Sequence, residues 1–415
     1  MKRTLFLRLA LALALAACGG ESVKLPDKPP DPRRAPKIAP PDDAAERDNL
    51  LNYAHGAVVV SRTGEATLKN SALRTIDGDR DQSSYWSSPP NDSQQTFVFA
   101  LPSRSRLTQV GAEIGSGSAL ALRFEASLDG QRFADLATIR LAPKPGPQLF
   151  GVPATEAAYL RVSMDAGLPP IELRSLHARG TPLEPVEEPG PIAGCWTVDA
   201  RNGGFAQHGA HAAGQVDGAL LDGGSDGRFY RFVLLKGPEY GLAAISVTPD
   251  GRHMSGIRWH EEAIDLFVQE SWIGTRAGCR ELPMTGDEVF RYFIGKLGRY
   301  PMYGLRFDDS GRLMEEESAF VLDRVAAFAR TTPIRLVGNE LFQPSPERNR
   351  AVAQAKLDTL RTALAKRGVD VSRIELVNHG GDHPHREALT EAGRSLYGAV
   401  ELVIPSAVEG SGRGK

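Results

Sequence analysis

The chain has 415 residues, 49 of them basic and 51 acidic, with a net charge of −2. That length allows several domains, and the near balance of charge without a basic block excludes a nucleic-acid-binding footprint. Glycine and proline are plentiful (43 and 29) and aromatic residues make up 7%, which is typical of β-rich modules joined by linkers.

Residues 1–17 begin with the basic Lys2 and Arg3, followed by a short apolar run that Arg8 interrupts. This pattern indicates a secretory signal that is too short to span a bilayer. Leu15-Ala16-Ala17-Cys18 followed by Gly19 resembles the lipobox of bacterial lipoproteins. The resemblance implies a lipoprotein signal peptide over 1–17, an acyl chain on Cys18, and a lipid-anchored, mainly periplasmic location at the outer membrane. An ordinary signal peptide is the alternative.

Proline-rich stretches divide the rest of the chain. Residues 18–48 and 181–192 combine proline with charge, so we predict a tether and a linker without a core of their own. The glycine- and serine-rich tail at 406–415 is predicted to be disordered. Three domains remain in this multidomain chain: 49–180, 193–283 and 284–405.

Residues 49–180 read as an all-β domain. Apolar and polar residues alternate in segments bounded by Gly, Pro, Asn and Asp, which predicts strands at 96–101, 107–114, 120–128, 159–164 and 171–178. The sequence at 72–79, 84–88, 97–99, 107–110 and 124–130 resembles the coagulation factor 5/8 type C (discoidin) family. The resemblance implies a jelly-roll, galactose-binding-like β-sandwich that binds a glycan or a protein.

The same resemblance implies a calcium loop, with Asp77, Asp79 and Ser84 as ligands, because carboxylates and hydroxyls are hard oxygen donors. Capping of a turn by the two aspartates is the alternative. No other cofactor is expected. Tyr85 and Trp86 are candidate glycan contacts, since exposed aromatic rings stack on sugars, with a core position for Trp86 as the alternative.

Residues 193–283 hold glycine-rich segments at 203–204, 222–224, 226–227 and 250–251, which indicate turns. Strands are predicted at 228–235 and 241–247, within a small β-barrel or sandwich. Once Cys18 is acylated, Cys195 and Cys279 remain as an even pair in an oxidising compartment, which favours a disulfide between them. Two buried free thiols are the alternative.

Residues 284–405 alternate strand and helix patterns. We predict strands at 303–307, 334–337, 374–377 and 400–404, and helices at 315–330 and 346–367. The segments 303–307, 316–322 and 400–401 resemble the C-terminal domain of the OmpA family. The resemblance implies an α/β fold.

That family holds the diaminopimelate of peptidoglycan between an aspartate and an arginine. Here the implied site comprises Asn339, Glu340, Asn349 and Lys356. The aspartate position falls on Leu341, so Glu340 supplies the carboxylate only if the loop shifts by one residue. Lys356 stands at the arginine position. These departures define a degenerate domain, and a protein-binding or structural module is the alternative.

Catalytic motifs of the nucleophile-elbow, phosphate-loop and dinucleotide types do not occur in the sequence, and we expect a protein that is not an enzyme. His379, Asp382, His383 and His385 offer metal-binding groups, but a solvated loop is the favoured interpretation. The leading hypothesis is a lipoprotein that tethers the outer membrane to peptidoglycan. An accessory subunit of an envelope complex and a metal-dependent hydrolase are the alternatives.

Overall fold

Strands dominate the part of the chain that the computed structural model describes, residues 48–78, 84–90, 94–116, 120–165, 170–260, 270–278, 286–382 and 391–405. These residues belong to one compact unit. The predicted signal peptide, the tail, and Cys18, Asp79, Cys279, His383 and His385 lie outside the described residues. Within the described ranges, no helix combines the length and the apolar character needed to cross a bilayer.

The first domain is a seven-stranded folded sheet in the order β2-β7-β3-β6-β4-β5, with β1 paired to β3. The N-terminal half of β3 pairs with β1 and its C-terminal half with β7. The sheet therefore folds over into a β-sandwich, with Phe97, Phe99 and Phe124 fully buried in its core. The strands are β1 Val58–Arg62, β2 Trp86–Ser87, β3 Gln94–Ser116, β4 Leu120–Ser127, β5 Ala134–Leu141, β6 Gln148–Asp165 and β7 Glu172–Pro182.

Two of the predicted strands, 96–101 and 107–114, are parts of the single strand β3. Its pairing with β6 shifts register between Ala100 and Ser105 and again between Leu107 and Gln109. These irregularities let the strand bend without ending. The turn-like residues between the two predicted strands therefore mark a bend.

The middle domain is a closed eight-stranded barrel in which consecutive strands pair antiparallel and β15 pairs back with β8. Closure leaves no free sheet edge. Of the two predicted architectures, the barrel is the one present. Its strands are β8 Gly194–Val198, β9 Arg201–His208, β10 His211–Val216, β11 Ala219–Ser225, β12 Tyr230–Lys236, β13 Glu239–Val247, β14 His253–His260 and β15 Glu270–Ala277.

The barrel interior is packed with large side chains. Its core cluster includes Trp196, Phe205, Tyr230, Phe232, Met254 and Trp272. The predicted turns at 203–204 and 222–224 are wrong, because these residues lie inside β9 and β11. A Cβ on Gly223 would lie 1.9 Å from the Arg231 carbonyl oxygen, so glycine there permits close strand packing. The predicted turns at 226–227 and 250–251 do connect strands.

The last domain is a four-stranded sheet, ordered β16-β19-β17-β18, with helices. Parallel strands β17 and β18 are joined by the long helix α3. The elements are α1 Gly286–Tyr292, a π-helical turn Phe293–Leu297, β16 Arg299–Pro301, α2 Ala319–Ala329, β17 Ile334–Asn339, α3 Pro346–Lys366, β18 Ile374–Gly380, α4 Glu391–Tyr397 and β19 Val400–Val403.

The predicted strand at 303–307 is wrong, since the edge strand of this sheet is β16. Residues 303–307 form turns with one isolated bridge between Phe307 and Leu313. Tyr303 and Leu305 are nevertheless buried, which explains why their alternation resembles a strand. Helix α2 begins at Ala319, later than predicted, where the Ser318 hydroxyl accepts the Arg306 backbone N–H at 2.9 Å.

The barrel packs against both neighbouring domains. The Tyr53 hydroxyl of the sandwich bonds to the Ala244 and Ser255 carbonyl oxygens of the barrel, at 3.0 and 2.9 Å. On the other side, the Arg231 guanidinium donates to the Ser395 carbonyl oxygen at 2.8 Å. One cluster of buried apolar residues runs through all three domains. The outer face of the barrel therefore packs against the hydrophobic cores of its two neighbours.

Candidate binding clefts beside the barrel

The predicted peptidoglycan residues converge where β17 ends and α3 begins. Glu340 directly follows β17, and Lys356 lies in the third turn of α3. Ser345 caps the helix by accepting the Arg348 N–H, and Pro346 follows at the first helical position. A Cβ on Gly338 would lie 2.9 Å from the Leu357 side chain, so this glycine lets the helix lie close against the strand.

Glu340 and Lys356 form a nearly buried ion pair. Lys356 Nζ donates to Glu340 Oε2 at 2.6 Å and to the Gly398 carbonyl oxygen at 3.1 Å. Glu340 Oε1 accepts the backbone N–H groups of residues 341 and 342, at 3.1 and 2.9 Å. The carboxylate beside Lys356 therefore comes from residue 340, as the one-residue shift of the loop requires.

The other two predicted residues support the loop around this pair. Asn339 Nδ2 donates to the Ala399 carbonyl oxygen at 3.5 Å, and Asn349 Oδ1 accepts the Gln343 N–H at 2.9 Å. Neither belongs to the residues that line the adjoining cavity. Their hydrogen bonds position the loop, whereas Glu340 and Lys356 face open space.

That space is a cavity of about 670 Å³ between the last domain, the barrel and the linker. An ammonium group has three N–H donors, and the described residues accept two from Lys356. The Phe307 ring lies 5.7 Å from Lys356 Nζ. The cavity, named here the lysine cleft, thus presents one positive group with a spare donor beside a paired carboxylate. Its walls also include Glu188, Asp226, Arg228, Arg231, Arg306, Asp308, Met314 and Phe342.

Ion pairs across the wall hold the lysine cleft together. Arg306 donates to Glu317 at 2.9 Å and also bonds to Glu188 in the linker. Hydrogen bonding to Glu188, opposed by burial, raises the pKa of Arg306. Burial favours the neutral form of Asp226, but nearby Arg231 and backbone N–H groups outweigh it and lower the pKa of that carboxyl. The ion pair between Arg306 and Glu188 therefore holds the linker against the lysine cleft.

A second cavity of about 800 Å³ lies where the sandwich, the linker and the barrel meet. It shares Gly227 and Arg228 with the lysine cleft. We name it the linker cleft. Aliphatic or proline residues and polar residues contribute about equally to the rest of its wall. The first group includes Leu50, Ala54, Pro102, Pro182, Val186, Val247 and Pro249, and the second includes Asp48, His55, Thr108, Gln109, Arg179 and Glu187.

A buried polar network joins the barrel to the last domain. Asp222 Oδ1 lies 2.7 Å from His211 Nε2, and Asp222 Oδ2 accepts Arg324 Nη1 at 2.6 Å and the Tyr300 hydroxyl. His211 stacks on Phe320 with ring centroids 4.3 Å apart. Burial and the adjacent carboxylate raise the pKa of Tyr300 well above its ordinary value.

The predicted calcium loop is only partly described. Asp77 and Ser84 do lie together, since Ser84 Oγ donates to Asp77 Oδ2 at 3.0 Å. The same oxygen lies 3.2 Å from Arg74 Nη1, so a cation of the protein already pairs with this carboxylate. Asp79 lies outside the described residues, and calcium here stays a prediction.

Trp86 is fully buried, and its ring meets Phe97 edge-on with centroids 4.9 Å apart. Its Nε1 donates to the Gly64 carbonyl oxygen at 3.1 Å. A stacking role on a sugar does not fit this burial, whereas the core position weighed for it does. Tyr85 is half-buried and stays a predicted glycan contact.

The histidine cluster lies partly outside the described residues, with His383 and His385 among those omitted. Asp382 pairs with Arg350 at 2.7 Å. Within the described ranges, no group of three or more His, Cys, Asp or Glu side chains has the arrangement of a metal site. Cys195 is buried, but Cys279 lies outside the description, so their disulfide stays a prediction.

The sequence interpretation missed Arg179, Arg228 and the network around Asp222. The one available signal was polar residues at 211 and 222 within otherwise apolar segments. Recognising them requires the register of β10 and β11, in which His211 pairs with Gly224 and Asp222 with Ala213. The sequence did not predict that register, because the glycines at 223 and 224 indicated a turn where β11 lies.

No protein-family model matches the chain, and no curated protein matches it either. Among solved structures, the C-terminal domain of a chitobiase from Bacteroides fragilis is 22% identical over 32% of this chain and 97% of that chain, with a TM-score of 0.29. CBM32-3 from a family 31 glycoside hydrolase of Clostridium perfringens is 18% identical over 34% and 99%, also with a TM-score of 0.29.

The CBM32 of AlyQ, in complex with 4,5-unsaturated mannuronic acid, is 20% identical over 29% of this chain and 92% of that chain, with a TM-score of 0.25. These structures are what the chain is similar to over about a third of its length.

Proposed function

We propose that this protein is a lipid-anchored, non-catalytic protein of the bacterial outer membrane that grips peptidoglycan in the lysine cleft. The observation that carries the proposal is the pairing of Lys356 with Glu340, 2.6 Å apart, in the wall of a cavity of about 670 Å³. Cys18 supplies the anchor, and the predicted disulfide between Cys195 and Cys279 belongs to the same oxidising location.

The chemistry of the pair suits a zwitterionic ligand. The free end of diaminopimelate carries an ammonium and a carboxylate. On binding, the ammonium pairs with Glu340 and the carboxylate with Lys356, so one ion pair is exchanged for two. No net charge enters the cleft, which avoids the large cost of burying an unpaired ion.

The test is a pull-down of the full chain with purified sacculi. Wild type is expected to cosediment, and free diaminopimelate is expected to compete. Nα-Acetyl-lysine amide, whose free end carries an ammonium but no carboxylate, is expected not to compete. Lys356→Met should reduce binding at least tenfold, because it removes the partner of the ligand carboxylate.

Lys366→Met is the matched control. This residue lies at the end of the same helix and forms an exposed ion pair with Glu315, so its replacement should leave cosedimentation unchanged. Absence of wild-type binding, or equal binding by Lys356→Met, would contradict the proposal. Copurification with envelope proteins in that case would favour an accessory subunit.

A further inference from the structure

The linker cleft is lined by an arginine, Arg179, that makes no ion pair among the residues that the structure describes. Arg179 is half-buried at the C-terminal end of β7, and its Nε is buried without a hydrogen-bond partner among the described residues. A buried donor left unsatisfied costs about 1–3 kcal/mol. Among the described residues, Arg174, Arg231 and Arg324 share this feature, but Arg179 alone of these four lines the linker cleft.

A second guanidinium faces the same space. Arg228 is exposed, lines the linker cleft and lies over the Phe342 ring, with Cζ 4.5 Å from its centroid. The acidic groups in the lining, Asp48 and Glu187, are exposed to solvent. Within the described ranges, neither makes an ion pair with Arg179.

Part of the remaining wall of the linker cleft is apolar. Leu50, Pro102 and Val247 lie on the side formed by the two β domains. The linker adds Val186, whose side chain is 55% exposed. A ligand that covers an exposed aliphatic side chain removes apolar surface from water, and this favours binding.

From these observations we infer that the linker cleft binds a small anionic amphiphile, a carboxylate or phosphate ester with an apolar body. Arg179 holds the anionic head by charge-assisted hydrogen bonds, and Arg228 adds a second positive charge. The apolar body lies against the aliphatic wall. This site goes beyond the proposed grip on peptidoglycan and uses neither Lys356 nor Glu340.

The experiment is a calorimetric titration of the full chain carrying Cys18→Ser, purified without detergent so that no other amphiphile competes. The probes are octanoate, octyl phosphate and the neutral octanol. Both anions are expected to bind saturably, at least tenfold more tightly than octanol, and more weakly at high salt. The tighter of the two identifies the preferred head group.

Arg179→Ala should weaken anion binding at least tenfold, and Arg179→Lys should give an intermediate value because it keeps the charge but loses Nε. Arg140→Ala, at an exposed position on β5, is the control and should bind like wild type. Lys356→Met should also bind octanoate normally, which separates this site from the lysine cleft. Equal affinity for octanol and octanoate, no binding of either anion, or wild-type binding by Arg179→Ala would overturn the inference.

Discussion

One charged cluster joins the barrel to the last domain and another lies within the last domain, and the two differ in their access to open space. Asp222 and His211 are fully buried, and Tyr300 and Arg324 donate hydrogen bonds to Asp222. The pair of Glu340 and Lys356 is nearly as buried but lines a cavity. Asp222 and His211 of the first cluster have no exposed surface, whereas the second cluster has a spare donor at the cavity wall.

The difference suggests what each cluster does. The Asp222 carboxylate contacts His211 of the barrel and both Tyr300 and Arg324 of the last domain. These contacts link the two domains. Glu340 accepts two backbone N–H groups besides Lys356, and cavity water can replace a lost partner. We therefore expect mutations in the first cluster to affect folding and mutations in the second to affect mainly binding.

The largest effect is expected from Asp222→Asn. The variant removes the charge that compensates Arg324, and breaking a buried pair costs about 3–5 kcal/mol. Urea unfolding should show this loss in the free energy of unfolding. Asp323→Asn is the control on α2, since its carboxylate pairs with Arg367 but is 72% exposed, and such pairs contribute about 0–1 kcal/mol. Similar stabilities for the two variants would refute the assigned role of Asp222.

A smaller effect on folding is expected from Lys356→Met. Glu340 keeps its two backbone donors and gains cavity water, so the loss in unfolding free energy should be about 1 kcal/mol. The comparison with Asp222→Asn uses the same urea titration. A cost as large as that of Asp222→Asn would mean that the lysine cleft is a structural joint and not an open site.

The smallest effect concerns pH. Because Arg231 and backbone N–H groups lower the pKa of Asp226 below its ordinary value of 3.8, its ionised form stabilises the folded state above that pH. The contribution is lost as pH falls through 3.8 towards the lowered folded-state pKa. Asp226→Asn should therefore show a flatter decline of unfolding free energy between pH 5 and about pH 3 than wild type does.

Asp309→Asn, in the wall of the same cleft and exposed, should follow the wild-type pH curve. If Asp226→Asn follows it as well, the charge of Asp226 makes no contribution to the stability of the cleft wall.

Sequence reasoning predicted single elements correctly where local patterns were strong. The turns around Gly227 and Gly251, both with positive φ, were predicted correctly because only glycine adopts that backbone conformation easily. Gly203 and Gly223 were misread, because glycine also permits close packing inside a barrel. Local sequence does not distinguish these two uses, since the second depends on which strand lies opposite.

The candidate site was predictable in part for a related reason. Glu340 and Lys356 lie 16 residues apart across one strand–helix connection, so a family resemblance was enough to bring them together. Arg179 and Arg228 belong to different domains, and Asp222 meets Tyr300 across 78 residues. Contacts of that range depend on domain packing, which no local pattern encodes.

The position of Asp222 on the outer face of the barrel also limits where recombination can divide this protein during evolution. Recombination within 279–285 would separate the carboxylate from Tyr300 and Arg324 and leave two buried polar side chains without their acceptor. A recombinant protein that contains the barrel without the last domain, or the last domain without the barrel, would expose the apolar surface that the two domains share. We therefore expect the barrel and the last domain to be inherited together as one evolutionary unit.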